Sequence, residues 1–136
     1  ELIWVLKSDA NFGLLNFARN DVDTIATPTF TSAKLQLNGH DRFAERRMEF
    51  FKHVQPYKHH TRVSRVANNQ DIFVYSFALQ PEEHQPSGTC NFSRIDNAVL
   101  SLTTVTTGGD GVCKVFAVNY NVLRIMSGMG GLAYSN

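Results

Sequence analysis

Side chains along this sequence alternate with a period of two in four separate runs, and that pattern admits few folds. Ala33, Leu35 and Leu37 are interleaved with Lys34, Gln36 and Asn38. Phe73, Tyr75, Phe77 and Leu79 are interleaved with the smaller Val74, Ser76 and Ala78. Ala98, Leu100 and Leu102 stand between Val99, Ser101 and Thr103, and Val118, Tyr120 and Val122 between Asn119 and Asn121. Successive residues of a strand point to opposite faces, so each run predicts a strand with one face on a core. Residues 1–7 (ELIWVLK) are apolar almost throughout, as in a strand covered on both faces.

Turn chemistry divides the runs. Asn38-Gly39 ends one strand, and the glycine-rich stretch 108–111 reads as a hairpin connection. Pro81 and Pro86 bracket a polar loop, and neither can donate to a ladder. Residues 8–32 are polar and predict a long loop with a short strand. One segment is helical in character: residues 41–51 (DRFAERRMEFF) hold no Gly or Pro, with Ala44, Met48 and Phe51 at i, i+4 and i+7. Asp41 can cap its start and Pro56 bars its continuation. Many short strands, long polar loops and little helix predict an all-β antiparallel sandwich of jelly-roll type, with one short helix near 41–51.

The chain of 136 residues is long enough for one domain with a core. Thirteen basic residues against 12 acidic ones leave a net charge of +1, which gives no global attraction to nucleic acid or anionic membrane. No apolar run approaches the roughly 18 residues of a membrane-spanning helix. Cys90 and Cys113 match no metal spacing and read as free thiols, with a single disulfide as the alternative. Asn91-Phe92-Ser93 is a formal glycosylation sequon, which matters only in the secretory pathway.

Catalytic and metal chemistry find little footing. His40, His53, His59, His60 and His84 include no His-x-His pair of the kind a cupin-type jelly roll needs, so no metal or cofactor is expected. Glu82-Glu83-His84 could be read as acid, base and shuttle, but consecutive loop residues seldom converge on one reacting atom. A structural role is expected for Pro81, Glu82, His84, Pro86, Gly88, Asn91, Arg94 and Asp96, with Arg94 and Asp96 tying the loop back to a strand. There is no G-x-S-x-G elbow, and 128–131 lacks the ending of a phosphate loop. The segment 42–65 carries seven of the 13 basic residues, interleaved with aromatics. A basic, aromatic stretch can bind single strands; the favoured reading is assembly contacts through Arg42, Arg46, Arg47, Lys58 and Arg62.

Two longer stretches carry a resemblance. Residues 76–96 read SFALQPEEHQPSGTCNFSRID, and residues 119–136 read NYNVLRIMSGMGGLAYSN. Both resemble the C-terminal signature of major capsid proteins of the nucleocytoplasmic large DNA viruses, the group that includes phycodnaviruses, iridoviruses and mimivirus-like viruses. ELIWVL at 1–6 and HVQPYKHH at 53–60 support it. The resemblance implies two jelly rolls in tandem and a homotrimeric capsomer with a pseudo-sixfold outline. It also implies an icosahedral shell assembled in the host cytoplasm. The expected partners are neighbouring capsomers, minor capsid proteins and the remainder of the same polypeptide. Neither direct nucleic-acid contact nor a transmembrane segment is expected.

Residues 1–136 would then be the C-terminal jelly roll without its first strands, and the strand at 1–7, with Ile3, Trp4 and Val5, would lack partners within the chain. The alternative is a carbohydrate- or receptor-binding β-sandwich of a virion, for which Tyr57 near Asn68, Asn69 and Asp71 is the candidate. A metal-dependent cupin-like enzyme is disfavoured.

Overall fold

In the computed structural model, residues 1–8, 30–62, 72–104 and 111–134 are described. β1 (Leu2–Ser8) is the middle strand of a three-stranded antiparallel sheet, between β5 (Ile72–Tyr75) and β7 (Gly111–Ala117). Trp4 stands opposite Phe73 on one side and Val115 on the other. The second sheet is built on β2 (Phe30–Leu37). β2 pairs with the short strands β3 (His40–Asp41) and β4 (Arg46–Arg47), and along most of its length with β6 (Ala98–Thr104). A separate hairpin, β8 (Leu123–Met126) with β9 (Met129–Leu132), closes the described chain.

The two larger sheets meet through aromatic side chains. Phe30 of β2 lies edge-on to Phe73 of β5, with centroids 4.7 Å apart, and Trp4 contacts Phe73 at 6.0 Å and Phe51 at 5.2 Å. Trp4, Phe30, Phe51 and Phe73 are wholly buried, and Ala33 and Leu35 join them from the inward face of β2. Offset and edge-on pairs of this kind add to area burial because ring edges meet ring faces. This is the antiparallel jelly-roll sandwich that the alternation predicts.

β1 has its partners within the chain. The expectation that Ile3, Trp4 and Val5 would lack them is not met: β5 and β7 pair along both edges, Trp4 and Val5 are buried, and Ile3 is half-buried. The glycine-rich stretch does not close a hairpin either, because β6 and β7 belong to different sheets. Residues 105–110 themselves lie outside the described residues, as does most of the long loop expected at 8–32.

The helix sits later than the sequence suggests. Asp41 lies in β3, where Gln36 Nε2 donates to it at 2.7 Å and Lys34 Nζ lies 3.1 Å away, so it caps nothing. The Gln36 hydrogen bond first, and then Lys34, lower its pKa. Helical turns begin at Met48, with a π turn at Phe50–Val54 running into α1 (Gln55–His59). Pro56 does not bar the helix. It occupies the first turn of α1, where a missing N–H and a fixed φ are tolerated, and the wider π turn precedes it. That turn inserts Phe51 into the core and buries Gln55, whose Oε1 accepts from Ser76 N at 3.1 Å just past the end of β5.

Candidate assembly surface

Two regions carry the residues that the sequence singles out. The first is the loop at 81–96, which follows a chain departure after Tyr75. Ser76 Oγ donates to Ala78 O and accepts from Ala78 N, forming a tight turn. Ser87 Oγ then donates to Gln80 O and accepts from Gln80 N at 2.8 Å, closing the arc that contains Pro81 and Pro86. Gly88 has φ +154, and a Cβ there would lie 2.9 Å from Phe77 O. Only glycine fits, for both conformational and steric reasons. Asn91 Oδ1 accepts from Ser93 N at 3.1 Å and caps a 3-10 turn at Phe92–Arg94.

The far end of the loop is held by a residue that sequence reasoning did not assign to it. Asn38 and Gly39, both at positive φ, form the two-residue turn between β2 and β3. Asn38 Oδ1 accepts from Asp96 N at 2.9 Å and from Asn97 N at 3.1 Å, and Asn38 N donates to Asn97 O at 2.8 Å. Asp96 is therefore tied through its backbone and not its carboxylate. The Arg94 guanidinium makes no ion pair or hydrogen bond among the described residues. The Asn-Gly dipeptide signalled the turn, but nothing in the sequence linked it to a loop almost sixty residues later.

Glu82 also ties the loop. Its Oε2 accepts from Thr61 N at 3.0 Å and Thr61 Oγ1 at 2.6 Å, and its Oε1 lies 3.0 Å from His60 Nδ1. These contacts, the Thr61 hydroxyl foremost, hold its carboxyl at about 2. A carboxylate fixed by three donors is a clamp and not a proton shuttle. His84 and Pro86 are exposed and Pro81 is half-buried.

Of the basic residues, Arg42, Arg46, Arg47, Lys58 and Arg62 are all exposed. Arg46 stacks over the Phe50 ring at 5.7 Å, and Arg42 lies close enough to Tyr75 to offset part of the upward push that burial gives its phenol. Arg46 and Arg47 lie in β4 and Lys58 in α1, while Arg42 and Arg62 follow just after β3 and α1. Tyr57 is 81% exposed, whereas Asn68, Asn69 and Asp71 lie outside the described residues. No cluster of metal-ligating side chains occurs among the described residues. Cys90 and Cys113 are free thiols, and burial raises the pKa of Cys113. Among the described residues no helix is long and apolar enough to cross a membrane.

The second region is the C-terminal face, at whose start the alternation of Val118, Tyr120 and Val122 predicts one more strand. Residues 118–122 form no strand, although their side chains alternate. Asn121 organises the segment instead: its Oδ1 accepts from Val122 N and Tyr134 N, and its Nδ2 donates to Tyr134 O at 2.9 Å. The β8–β9 hairpin turns at Ser127 and Gly128, both at positive φ, and every residue of both strands is exposed. Val115, Phe116, Val118, Val122, Leu123, Ile125, Met126, Met129, Leu132 and Tyr134 are each at least half exposed. Arg124 is the only charged residue from 118 to 134. An exposed apolar surface of this extent is larger than scattered surface hydrophobics explain and is a candidate interaction face.

The comparisons with known proteins agree with this picture of a protein made for contact. The family model for the large eukaryotic DNA virus major capsid protein matches residues 1–131. The chain is 52% identical to a major capsid protein of Pyramimonas orientalis virus, covering all of this chain and 36% of that protein. It is 48% identical to capsid protein 1 of Acanthamoeba polyphaga mimivirus, over 93% of this chain and 21% of the relative. Among solved structures, it aligns over 99% of its length with PBCV-1 VP54, fitted into a reconstruction of the virophage Sputnik. The TM-score is 0.72, the identity 38%, and 43% of that chain is covered. The chain thus spans well under half the length of these relatives. With the sandwich and the sequence match along the same residues, the chain belongs to the major capsid protein family of the large eukaryotic DNA viruses.

Proposed function

We propose that this chain is the later part of the second jelly roll of a major capsid protein and that its work is structural. The observation that carries this is the exposed apolar face running from Val115 to Tyr134, on a chain whose relatives are capsid proteins. In a shell such a face is covered by neighbours. Three copies around a threefold axis repeat one heterologous contact three times, and two similar sandwiches per subunit give the trimer its pseudo-sixfold outline. The partners are the remainder of the same polypeptide, neighbouring capsomers and minor capsid proteins. Arg42, Arg46, Arg47, Lys58 and Arg62 lie on exposed turns and short strands suited to acidic neighbours. The loop at 81–96 holds shape, takes no cofactor and does no chemistry. Assembly in the host cytoplasm places the protein in the virion shell and leaves Asn91 without a conventional N-glycan.

The test is the native mass of the full-length protein. The wild type is expected to be a trimer, and Leu123→Asp with Ile125→Asp is expected to lower trimer yield. A full-length wild type that remains a monomer, or one that hydrolyses a substrate through Glu82, overturns the reading. A hexose-rich mass shift on the peptide containing Asn91 contradicts the cytoplasmic route.

A further inference from the structure

A single side-chain amide holds the far end of the loop at 81–96, and the residue after it is glycine. Asn38 and Gly39 form the turn between β2 and β3, and both are exposed. Asn38 Oδ1 accepts from Asp96 N at 2.9 Å and from Asn97 N at 3.1 Å. Among the described residues no hydrogen bond holds Asn38 Nδ2 or Gly39 N. A Cβ added at Gly39 would meet nothing within 4 Å, so no neighbour crowds the turn.

We infer that Asn38 is a modification site, where the chain spontaneously loses a side-chain amide and the isoaspartate so formed unties the end of the loop. Gly39 N, with no side chain beside it, is the nucleophile, and Asn38 Cγ is the carbon attacked. The two N–H donors on Oδ1 draw electron density from Cγ and stabilise the negative charge that develops on that oxygen. The bond from Gly39 N to Cγ forms, the Cγ–Nδ2 bond breaks, and ammonia leaves with the proton of Gly39 N. Water then opens the succinimide. Addition at Cγ gives aspartate, and addition at the main-chain carbonyl gives isoaspartate. Aspartate keeps an acceptor for Asp96 N and Asn97 N. Isoaspartate routes the main chain through Cβ and Cγ, which lengthens the turn and breaks the pairing of Leu37 with His40. The oxygen that held the loop becomes a main-chain carbonyl and leaves its place.

Asn121 shows the opposite arrangement. Its Nδ2 donates to Tyr134 O at 2.9 Å, so the leaving group is held. Val122 N, the corresponding nucleophile, donates to Asn121 Oδ1 at 2.8 Å, and the branched Val122 side chain shields it.

The test is incubation of the full-length protein at mildly alkaline pH, with peptide mapping by mass spectrometry and fragmentation that separates aspartate from isoaspartate. Asn38 is expected to convert to both products while Asn121 keeps its amide. In hydrogen–deuterium exchange of the incubated protein, peptides spanning 91–99 should exchange several-fold faster in the isoaspartate fraction. Freshly purified Asn38→Asp should exchange there like the wild type. An Asn38 amide that survives after an unstructured peptide of the 35–42 sequence has converted overturns the inference, because the turn would then protect it. Isoaspartate with unchanged exchange at 91–99 overturns it too, and so does faster exchange in fresh Asn38→Asp, which would assign the loosening to charge.

Discussion

Trp4 and Ile125 are both large apolar side chains on antiparallel strands, yet Trp4 is wholly buried and Ile125 is 71% exposed. The difference lies in what covers the strand and not in the strand itself. β1 has β5 and β7 along its edges and Phe51 and Phe73 against its inner face. Among the described residues β8 has only β9, and no second layer lies over either. An isolated two-stranded hairpin is marginal in water. The two regions therefore differ in kind: the first is a core closed among the described residues, and the second is an apolar face that they leave uncovered.

The largest expected effect is in the core. Trp4→Ala should destabilise the chain by about 3–5 kcal/mol, the cost of deleting a buried aromatic, whereas Ile125→Ala should change it by less than ~0.5 kcal/mol. Chemical denaturation of both variants measures the gap. Comparable losses would mean that the hairpin is part of the same core.

The loop gives the next test. Gly88→Ala places a Cβ against Phe77 O in a backbone conformation that L residues rarely adopt, and should cost about 1–3 kcal/mol. A thermal melt within error of the wild type would show that the loop relaxes freely.

Acid sharpens the role of Glu82. Its folded value is held down at about 2 against an ordinary 4.5. Its contribution is therefore fully present above about 4.5 and is lost as the pH falls towards 2. The fall in melting temperature over that window should be smaller in Glu82→Gln; an identical fall in both proteins would assign the acid sensitivity elsewhere. The smallest effect is at Arg94. With no side-chain tie among the described residues, Arg94→Ala should leave the isolated chain within ~0.5 kcal/mol of the wild type. A loss of capsomer yield in the same variant would then report a contact with a neighbour.

The sequence made some of this legible and not the rest, for physical reasons. Alternation placed β2 and β6 well, because one face of each meets the core while the other meets water or a partner. The same signal at 118–122 marked no strand, since alternation records which faces are apolar and not whether a ladder partner is present. The helix runs past the point the sequence suggests because Pro56, which reads as a terminator, is a first-turn residue behind a π turn. The glycine-rich stretch reads as a hairpin connection, and local turn chemistry carries no information that β6 and β7 enter different sheets. The contacts of Glu82 with Thr61 and His60, and of Asn38 with Asp96, join residues far apart in sequence, and no local pattern announces them. The family resemblance is readable from 76–96 and 119–136, yet the strand with one core face expected at 118–122 is absent and the second stretch is largely exposed.

The most direct test of the contrast is side-chain oxidation at Met126 and Met129, which are 66% and 74% exposed on the hairpin. Hydroxyl-radical footprinting would compare the isolated chain with the assembled capsid, with Trp4 as the internal reference for a side chain buried in both. The account predicts rapid oxidation of both methionines in the isolated chain and strong protection in the capsid, with Trp4 unreactive throughout. Equal oxidation of Met126 and Met129 in the two states would show that no other polypeptide covers this face, and would contradict the account.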